Sequence, residues 1–230
     1  MLEYLQKFEP DLVLLSTETL TDDDTKLLPQ SWLDLLSLQQ RQRVDRVIQQ
    51  WDFLVSKLFE THFYLLQNLE EVHLAKSRRG LTMLYKIKTK NGESFYYEGR
   101  LPATDEDKAS NQNGYAILPE QLQQFYTNVH NGWYYFSSRS MGFLPLENIF
   151  NLASEDWGIL DSIGKQPLSL ENTYAIFNSG MGGYLCIERD LTQPVADKVH
   201  SHLWFSKKAP NLNVEFWPVL DTWMCIGFEE

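Results

Sequence analysis

The stretch from Ile117 to Pro145 constrains the fold more than any other part of the chain. Pro119 presets φ for the first turn of a helix. The apolar residues that follow recur at three- and four-residue steps, which places them on one helix face: Leu122, Phe125, Tyr126 and Val129. Asn131-Gly132 tolerates the left-handed backbone that ends a helix. The aromatic run from Trp133 to Phe136 then predicts a strand, so the stretch predicts a helix, a stop and a strand in that order.

The order and spacing of these pieces resemble the SUKH superfamily, which contains fungal cell-wall regulators and bacterial immunity proteins. The resemblance covers roughly residues 115–228 and implies a mostly antiparallel sheet flanked by short helices. The positions that carry it are Leu118, Pro119, Phe125, Tyr126, Asn131, Gly132, Gly142, Leu144, Pro145 and Ile149.

The sequence predicts an α+β protein in two parts. The polar, breaker-rich segment 101–114 is the predicted boundary between them. Residues 1–113 form an accessory region with a long helix and a β-hairpin, and residues 114–230 form the SUKH-like domain.

The apolar periodicity between Pro29 and Gly80 predicts helix throughout this segment. A single helix of this length would be about 68 Å long, so we expect a break near 37–42 and a long helix from about Gln40 to Ser77. Ser31 with Asp34 resembles a capping box at the start. A second apolar set on the long helix favours either packing on two sides or, as the alternative, a homodimer through this helix.

Turn and strand signals organise the remainder of the chain. Asn91-Gly92 predicts a two-residue hairpin turn in which Ile87 faces Tyr96, with lysines on the other face that would protect an exposed edge. An acidic loop is expected at 21–24. Further strands are predicted at 174–177, 184–187, 202–205 and 214–217, and Pro218 is expected to open a closing helix.

Charge and composition exclude several classes of function. The chain has 31 acidic and 20 basic residues, for a net charge of −11, which argues against a nucleic-acid partner and allows a basic protein partner. No run of about 18 apolar residues predicts a membrane span, and no signal peptide is recognisable, so a cytoplasmic location is expected. Cys186 and Cys225 lie in apolar runs and are expected to be packing thiols.

No complete enzyme signature is present. The run from Ser179 to Gly183 is glycine-rich but lacks the Gly-Lys-Ser/Thr of a phosphate-binding loop. His200 and His202 have metal-ligand spacing without a third ligand nearby in sequence. We therefore predict no catalytic residues, no metal and no cofactor. The acidic pairs Glu155-Asp156 and Glu188/Asp190 leave a small acid/base enzyme as a minor alternative.

The resemblance implies an immunity protein that binds and neutralises a cognate secreted bacterial toxin, such as a basic nuclease-like domain, without a cofactor. An acidic surface would complement such a toxin. The residues predicted to contact it are Glu155, Asp156, Trp157, Asp161, Glu188 and Asp190, with Trp133 and Tyr135 as weaker candidates. The alternative from another class is a regulatory protein-interaction scaffold like the fungal members.

Overall fold

The computed structural model of the protein describes residues 1–160, 168–192 and 199–228. Helices and a large antiparallel sheet both contribute, so the predicted α+β class is confirmed. Within these residues, no helix is both long enough and apolar enough to cross a bilayer.

The helices are α1 (Leu2–Leu5), α2 (Asp22–Leu27), α3 (Gln30–Leu36), α4 (Gln40–Gln49), α5 (Phe59–Asn68), α6 (Asp105–Ser110), α7 (Gln112–Ala116), α8 (Glu120–Asn128) and α9 (Phe216–Ile226). The strands are β1 (Val13–Leu14), β2 (Leu69–Ser77), β3 (Gly80–Lys88), β4 (Ser94–Arg100), β5 (Trp133–Tyr135), β6 (Ser140–Phe143), β7 (Phe150–Asn151), β8 (Thr173–Asn178), β9 (Gly183–Glu188) and β10 (Ser201–Phe205). Short 3-10 turns lie at Asp52–Leu54, Leu146–Asn148, Leu152–Ser154 and Leu170–Asn172.

The strands form one sheet in the order β1-β2-β3-β4-β5-β6-β8-β9-β10, with β7 paired to β8 off this path. Every pairing is antiparallel. The sheet crosses the predicted boundary, because β4 pairs with β5, and segment 101–114 contains α6 and the start of α7. The division into 1–113 and 114–230 therefore stays a prediction. If it holds, the two units share one sheet.

Alternation along the strands gives the sheet two differently covered faces. The first face lies under α3, α4, α5, α8 and α9, which contribute Trp32, Val47, Leu65, Leu122 and Leu220 to the main core. The second face carries two smaller clusters. The N-terminal segment covers Leu84 and Tyr96, and Leu152, Trp157 and Leu168 pack on Ala175, Cys186 and Trp204.

The predicted long helix over 40–77 is wrong. This segment forms α4, a 3-10 turn, α5 and then β2, whose residues pair with β3 from Leu69 to Ser77. The apolar residues of β2 satisfy both patterns: Val72 fits a helical step from Leu69, and Val72 with Leu74 also fits a strand period of two. Pairing with β3 decides between them. A homodimer through this segment stays a prediction.

The hairpin between β3 and β4 forms, but its predicted register is wrong by one residue. Ile87 pairs with Phe95, because Thr89 N–H donates to Glu93 O (2.7 Å) and closes a three-residue loop. Gly92 has φ +83°, the left-handed position that such loops require. Both strands have neighbours on each side, so the lysines protect no edge; Lys86 Nζ instead lies 2.7 Å from Glu71 Oε1.

The stretch around α8 folds largely as predicted. Helix, aromatic strand β5 and returning strand β6 are confirmed, and Leu122, Phe125 and Tyr126 are buried. Gly132 has φ +90°, but Asn131 does not adopt the left-handed backbone. Asn131 Oδ1 accepts a hydrogen bond from Leu146 N (2.8 Å), so its side chain joins this turn to the next segment.

Three helix starts differ from prediction. The expected acidic loop at 21–24 is the start of α2, where Thr21 and Asp24 form a capping box and Asp24 Oδ1 pairs with Lys76. Pro29, rather than Ser31, occupies the cap of α3. Residues 214–217 are not a strand, because α9 begins at Phe216 and places Pro218 in its first turn, where proline needs no N–H partner. The predicted strands at 174–177, 184–187 and 202–205 are confirmed.

Candidate functional site

The predicted partner-contact residues do not share one environment. Glu155, Asp156 and Asp190 are exposed, Glu188 is half-buried and Trp157 is buried. Asp161 lies outside the described residues.

Trp157 is a core residue and does not form an exposed anchor. Only 8% of it is exposed, its Nε1 donates to Leu152 O at 2.6 Å, and its ring meets the Trp204 ring edge-on at 5.3 Å. The expectation of an exposed tryptophan is therefore wrong. The weaker candidate Trp133 is also buried and stacks on Tyr97 at 4.1 Å, and Tyr135 is half-buried against Phe95.

Glu188 has structural partners inside the protein. Its carboxylate accepts from Ser169 N (2.8 Å) and lies 3.0 Å from Nε2 of the buried His202. His202 Nδ1 accepts from Asn213 N at 3.1 Å, so Nε2 carries the proton that Glu188 binds. Both carboxylate oxygens of Glu188 therefore have hydrogen-bond partners within the protein, which makes the side chain less available to a partner protein or for acid/base chemistry.

The exposed acids lie at opposite ends of β9. The Glu155 charge raises the pKa of Tyr184, after a larger contribution from burial, so Glu155 lies near the start of this strand. Asp190 follows its other end, where hydrogen bonds from Thr192 lower the pKa of its carboxyl. Residues 184 and 188 are about 13 Å apart along a strand. Glu155-Asp156 and Asp190 therefore form two separate acidic points.

Between the two clusters on the second face lies a polar cleft of about 350 Å³. Thr82, Glu98, Arg100 and Tyr134 all point into it, because Thr82 pairs with Arg100 and Tyr134 pairs with Glu98 across β3, β4 and β5. The N-terminal segment borders the cleft through Glu9, which contacts Arg79 and Arg139. The lining is completed by Arg79, Gly80, Leu81, Arg139, Leu144, Pro145 and Asn148.

Three arginines and one buried glutamate dominate the cleft. Arg79 Nε lies 2.6 Å from Glu9 Oε2, and its Nη2 lies 3.3 Å from Glu98 Oε2. Arg139 Nη2 is 3.2 Å from the same Glu9 oxygen, and Arg100 pairs with Glu147. Two of these carboxylates, Glu9 and Glu147, lie outside the lining. Within the lining the formal charges are three positive and one negative.

The cleft contains two acidic groups, the Glu98 carboxyl and the Tyr134 hydroxyl, and burial and neighbouring charges shift the pKa of each. Burial raises the pKa of Glu98 above its usual range, although all three arginines lower it. Burial likewise raises the pKa of Tyr134, and the Glu98 charge adds to this effect. A buried carboxyl beside a tyrosine hydroxyl and several guanidinium groups can hydrogen-bond a charged ligand.

Sequence reasoning missed this cleft. Arg79 follows the helix predicted for 40–77, and Arg139 follows the predicted aromatic strand, so neither position indicates a site. One signal was available, since Glu98 and Arg100 interrupt an otherwise aromatic strand at alternate positions, which places both charges on one face.

A second surface feature lies on α5. Phe59, Phe63 and Leu66 recur at helical spacing and are 59%, 48% and 56% exposed, and the two rings stack at 6.1 Å. The opposite side of α5 is fixed to α9, because Asp221 accepts from Glu60 N (3.0 Å) and Thr61 N (2.8 Å). We call Phe59, Phe63 and Leu66 the α5 stripe.

The remaining chemistry is limited. No three histidine, cysteine or acidic residues gather as a metal site within residues 1–160, 168–192 and 199–228. Cys186 is buried, and burial raises the pKa of its thiol, as expected for a packing residue. Cys225 is half-buried, with Sγ 3.8 Å from Thr61 Oγ1.

Comparisons with known proteins do not classify the chain: no protein-family model, no curated protein and no solved structure matches it. The fold and the sites therefore define its class only as an α+β protein whose sheet is covered on both faces, with an arginine-lined cleft and an apolar helix stripe.

Proposed function

We propose that this chain is an immunity protein, which binds and neutralises a cognate secreted bacterial toxin through protein–protein contact. The observation that carries the proposal is the α5 stripe. Three large apolar side chains stand on the outer face of a well-anchored helix, each about half exposed. Contiguous apolar surface of this kind marks protein-interaction sites in soluble proteins.

The stripe supplies the kind of residues on which tight interfaces depend. Aromatic side chains presented on a rigid element lose little conformational entropy on binding and often dominate the binding energy. The hydrogen bonds from Glu60 N and Thr61 N to Asp221 hold the first turn of α5 in place. A stable complex would bury about 1,600 Å² in total, with the stripe at its centre.

Charge supports a basic toxin as the occupant. The chain has a net charge of −11, exposed Glu60 follows Phe59 in α5, and exposed Asp52 contacts His62 of the same helix. An acidic surface accelerates association with a basic partner and suppresses binding to acidic ones. The resemblance of 115–228 to the SUKH superfamily, which includes immunity proteins, favours the same conclusion.

The acidic loop at Glu155-Asp156 is a second contact candidate on the other side of the sheet. Trp157 next to it belongs to the second-face cluster, whereas Leu65 of α5 belongs to the first-face core. One compact partner would not readily cover both surfaces, so the stripe and the loop compete as sites for the toxin.

The experiment pairs this chain with the toxin encoded beside its gene. Cells expressing that toxin should survive when the chain is co-expressed, and the two proteins should co-elute as a stable complex. Absence of rescue and of a complex would refute the proposal. A complex with a non-toxic neighbour would favour the scaffold alternative.

Single substitutions decide which surface is used. Phe63→Glu or Leu66→Glu should weaken toxin binding at least tenfold while leaving the melting temperature nearly unchanged. Met181→Glu is the matched control, because Met181 is apolar and 91% exposed in the turn between β8 and β9. Glu155→Lys with Asp156→Lys should slow association only if the loop is the contact. Equal loss in the control and the stripe variants would exclude the stripe.

A further inference from the structure

We propose that the cleft over β3, β4 and β5 is a binding site for a small oxyanion, meaning a phosphoryl or carboxylate group carried by a small molecule. The proposal is independent of toxin binding and rests on the arginine geometry of the cleft. Its volume of about 350 Å³ lies within the range of small-molecule sites.

The three guanidinium groups are only partly used by the protein. Ion pairs and hydrogen bonds occupy Arg79 Nε and Nη2, Arg100 Nη1 and Arg139 Nη2. In the described part of the chain no hydrogen bond involves Arg79 Nη1, Arg100 Nε and Nη2, or Arg139 Nε and Nη1. Guanidinium groups bind phosphate and carboxylate through paired N–H donors. The cleft therefore retains donors of the type that oxyanions require.

The carboxylates already present position these arginines. Glu9 is buried and lies within 3.2 Å of both Arg79 and Arg139, which fixes the two side chains at one oxygen. Glu147 similarly holds Arg100 from outside the lining. Pre-positioned side chains lose less conformational entropy when a ligand binds.

The backbone at Arg139 supports a functional role. Arg139 has φ 54°, in the left-handed region that residues other than glycine seldom occupy. Its N–H donates to Tyr135 O at 2.8 Å, which holds the turn between β5 and β6 in this form. Asparagine or glycine would suit this backbone better, yet the chain places a long cationic side chain there, beside the cleft.

Two further groups shape the specificity of the site. The Tyr134 hydroxyl makes no hydrogen bond to the described residues and lines the cleft, so it can donate to a ligand oxygen. Glu98 is 3% exposed and pairs with Tyr134 across β4 and β5. Burial raises the pKa of this carboxyl, although the three arginines oppose the shift, so the carboxyl can take up a proton when an anion binds beside it and then acts as a donor.

The test uses the full chain and simple anions. Inorganic phosphate, pyrophosphate and citrate should each be compared with sodium chloride at equal ionic strength, by thermal unfolding and titration calorimetry. At least one oxyanion should raise the melting temperature and bind with one-to-one stoichiometry. Preference for pyrophosphate would indicate a phosphoryl ligand, and preference for citrate a carboxylate ligand. Binding of none of the three would overturn the proposal.

Variants separate the cleft from general surface charge. Arg139→Asn keeps a residue that tolerates the left-handed backbone and should weaken binding about tenfold, because a charge-assisted hydrogen bond is lost. Arg78→Asn is the matched control: its side chain is 90% exposed and does not line the cleft. Tyr134→Phe provides a second variant with a smaller structural change. Equal loss in Arg78→Asn and Arg139→Asn would overturn the proposal, as would unchanged binding in both cleft variants.

Discussion

His130 should make the stability of the protein depend on pH in a way that can be isolated. The ring is fully buried and lies in a chain of hydrogen bonds. Trp51 Nε1 donates to the Tyr85 hydroxyl (3.4 Å), which lies 2.6 Å from His130 Nε2, and His130 Nδ1 lies 3.0 Å from Arg100 O. Because the carbonyl can only accept, Nδ1 carries the proton and Nε2 accepts from Tyr85. The ring is thus held neutral.

The magnitude follows from the difference in pKa. Burial lowers the pKa of His130 to about 3, whereas an unfolded histidine titrates near 6.5. Between these values the unfolded chain binds a proton that the folded chain excludes, so the free energy of unfolding falls as pH falls below about 6.5. At pH 5.0 the loss is about 1.5 pH units times 1.36 kcal/mol, or about 2 kcal/mol.

The assay compares the protein with His130→Gln. Urea unfolding, followed by tryptophan fluorescence at pH 7.5 and pH 5.0, gives the free energy of unfolding for both chains. Other groups that titrate in the same way in both chains contribute equally to the two free energies of unfolding, so their effects cancel when the two are subtracted. The variant should be less stable at pH 7.5, but the stability advantage of the unmodified chain should shrink by about 2 kcal/mol at pH 5.0. An advantage that stays constant with pH would refute the assignment of a buried neutral histidine.

Three further substitutions test the packing. Gly142→Ala should lower the free energy of unfolding by about 3 kcal/mol, because the new Cβ would lie 2.0 Å from Trp133 O. Gly158→Ala is the control: no atom lies within 4 Å of its new Cβ, so the melting temperature should not change. Equal effects of the two substitutions would contradict the packing. Trp157→Ala should cost about 3–5 kcal/mol in urea unfolding, as for a core tryptophan, and a loss below 1 kcal/mol would indicate the exposed residue that the sequence suggested. Asp221→Ala should cost about 1–2 kcal/mol, since two N–H groups of the first turn of α5 lose their acceptor. Thr222→Ala is its control by thermal unfolding, and an equal loss would argue against capping.

Local signals predicted the elements whose partners are close in sequence. The helix at 120–128, the aromatic strand after it and the hairpin of β8 and β9 depend on neighbouring residues, and they form as expected. The segment 69–77 failed, because its apolar residues fit both periods and only pairing with β3 selects the strand. The hairpin register failed because Asn91-Gly92 permits loops of two or three residues.

The candidate site was less predictable than the fold. The cleft joins Arg79, Glu98, Tyr134 and Arg139, which come together only through the register of three strands and the turn after β5. Exposure also depends on tertiary contacts: Trp157 follows two acidic residues, yet it is buried against Trp204. The α5 stripe belongs to the second apolar set of the predicted helix, for which the sequence left packing on two sides and a homodimer open, and the structure leaves its side chains about half exposed.

The order of the sheet has a consequence for how the chain reaches its native state. Four pairs of neighbouring strands, β2-β3, β3-β4, β5-β6 and β8-β9, are joined by loops of two to five residues, so each of these hairpins can form by closing a short loop. The contact between Asp221 and α5 is different, since it joins residues separated by 160 positions. Such distant contacts slow folding. We therefore expect these hairpins to form before α9 docks on α5, which makes the anchoring of the exposed stripe a late step.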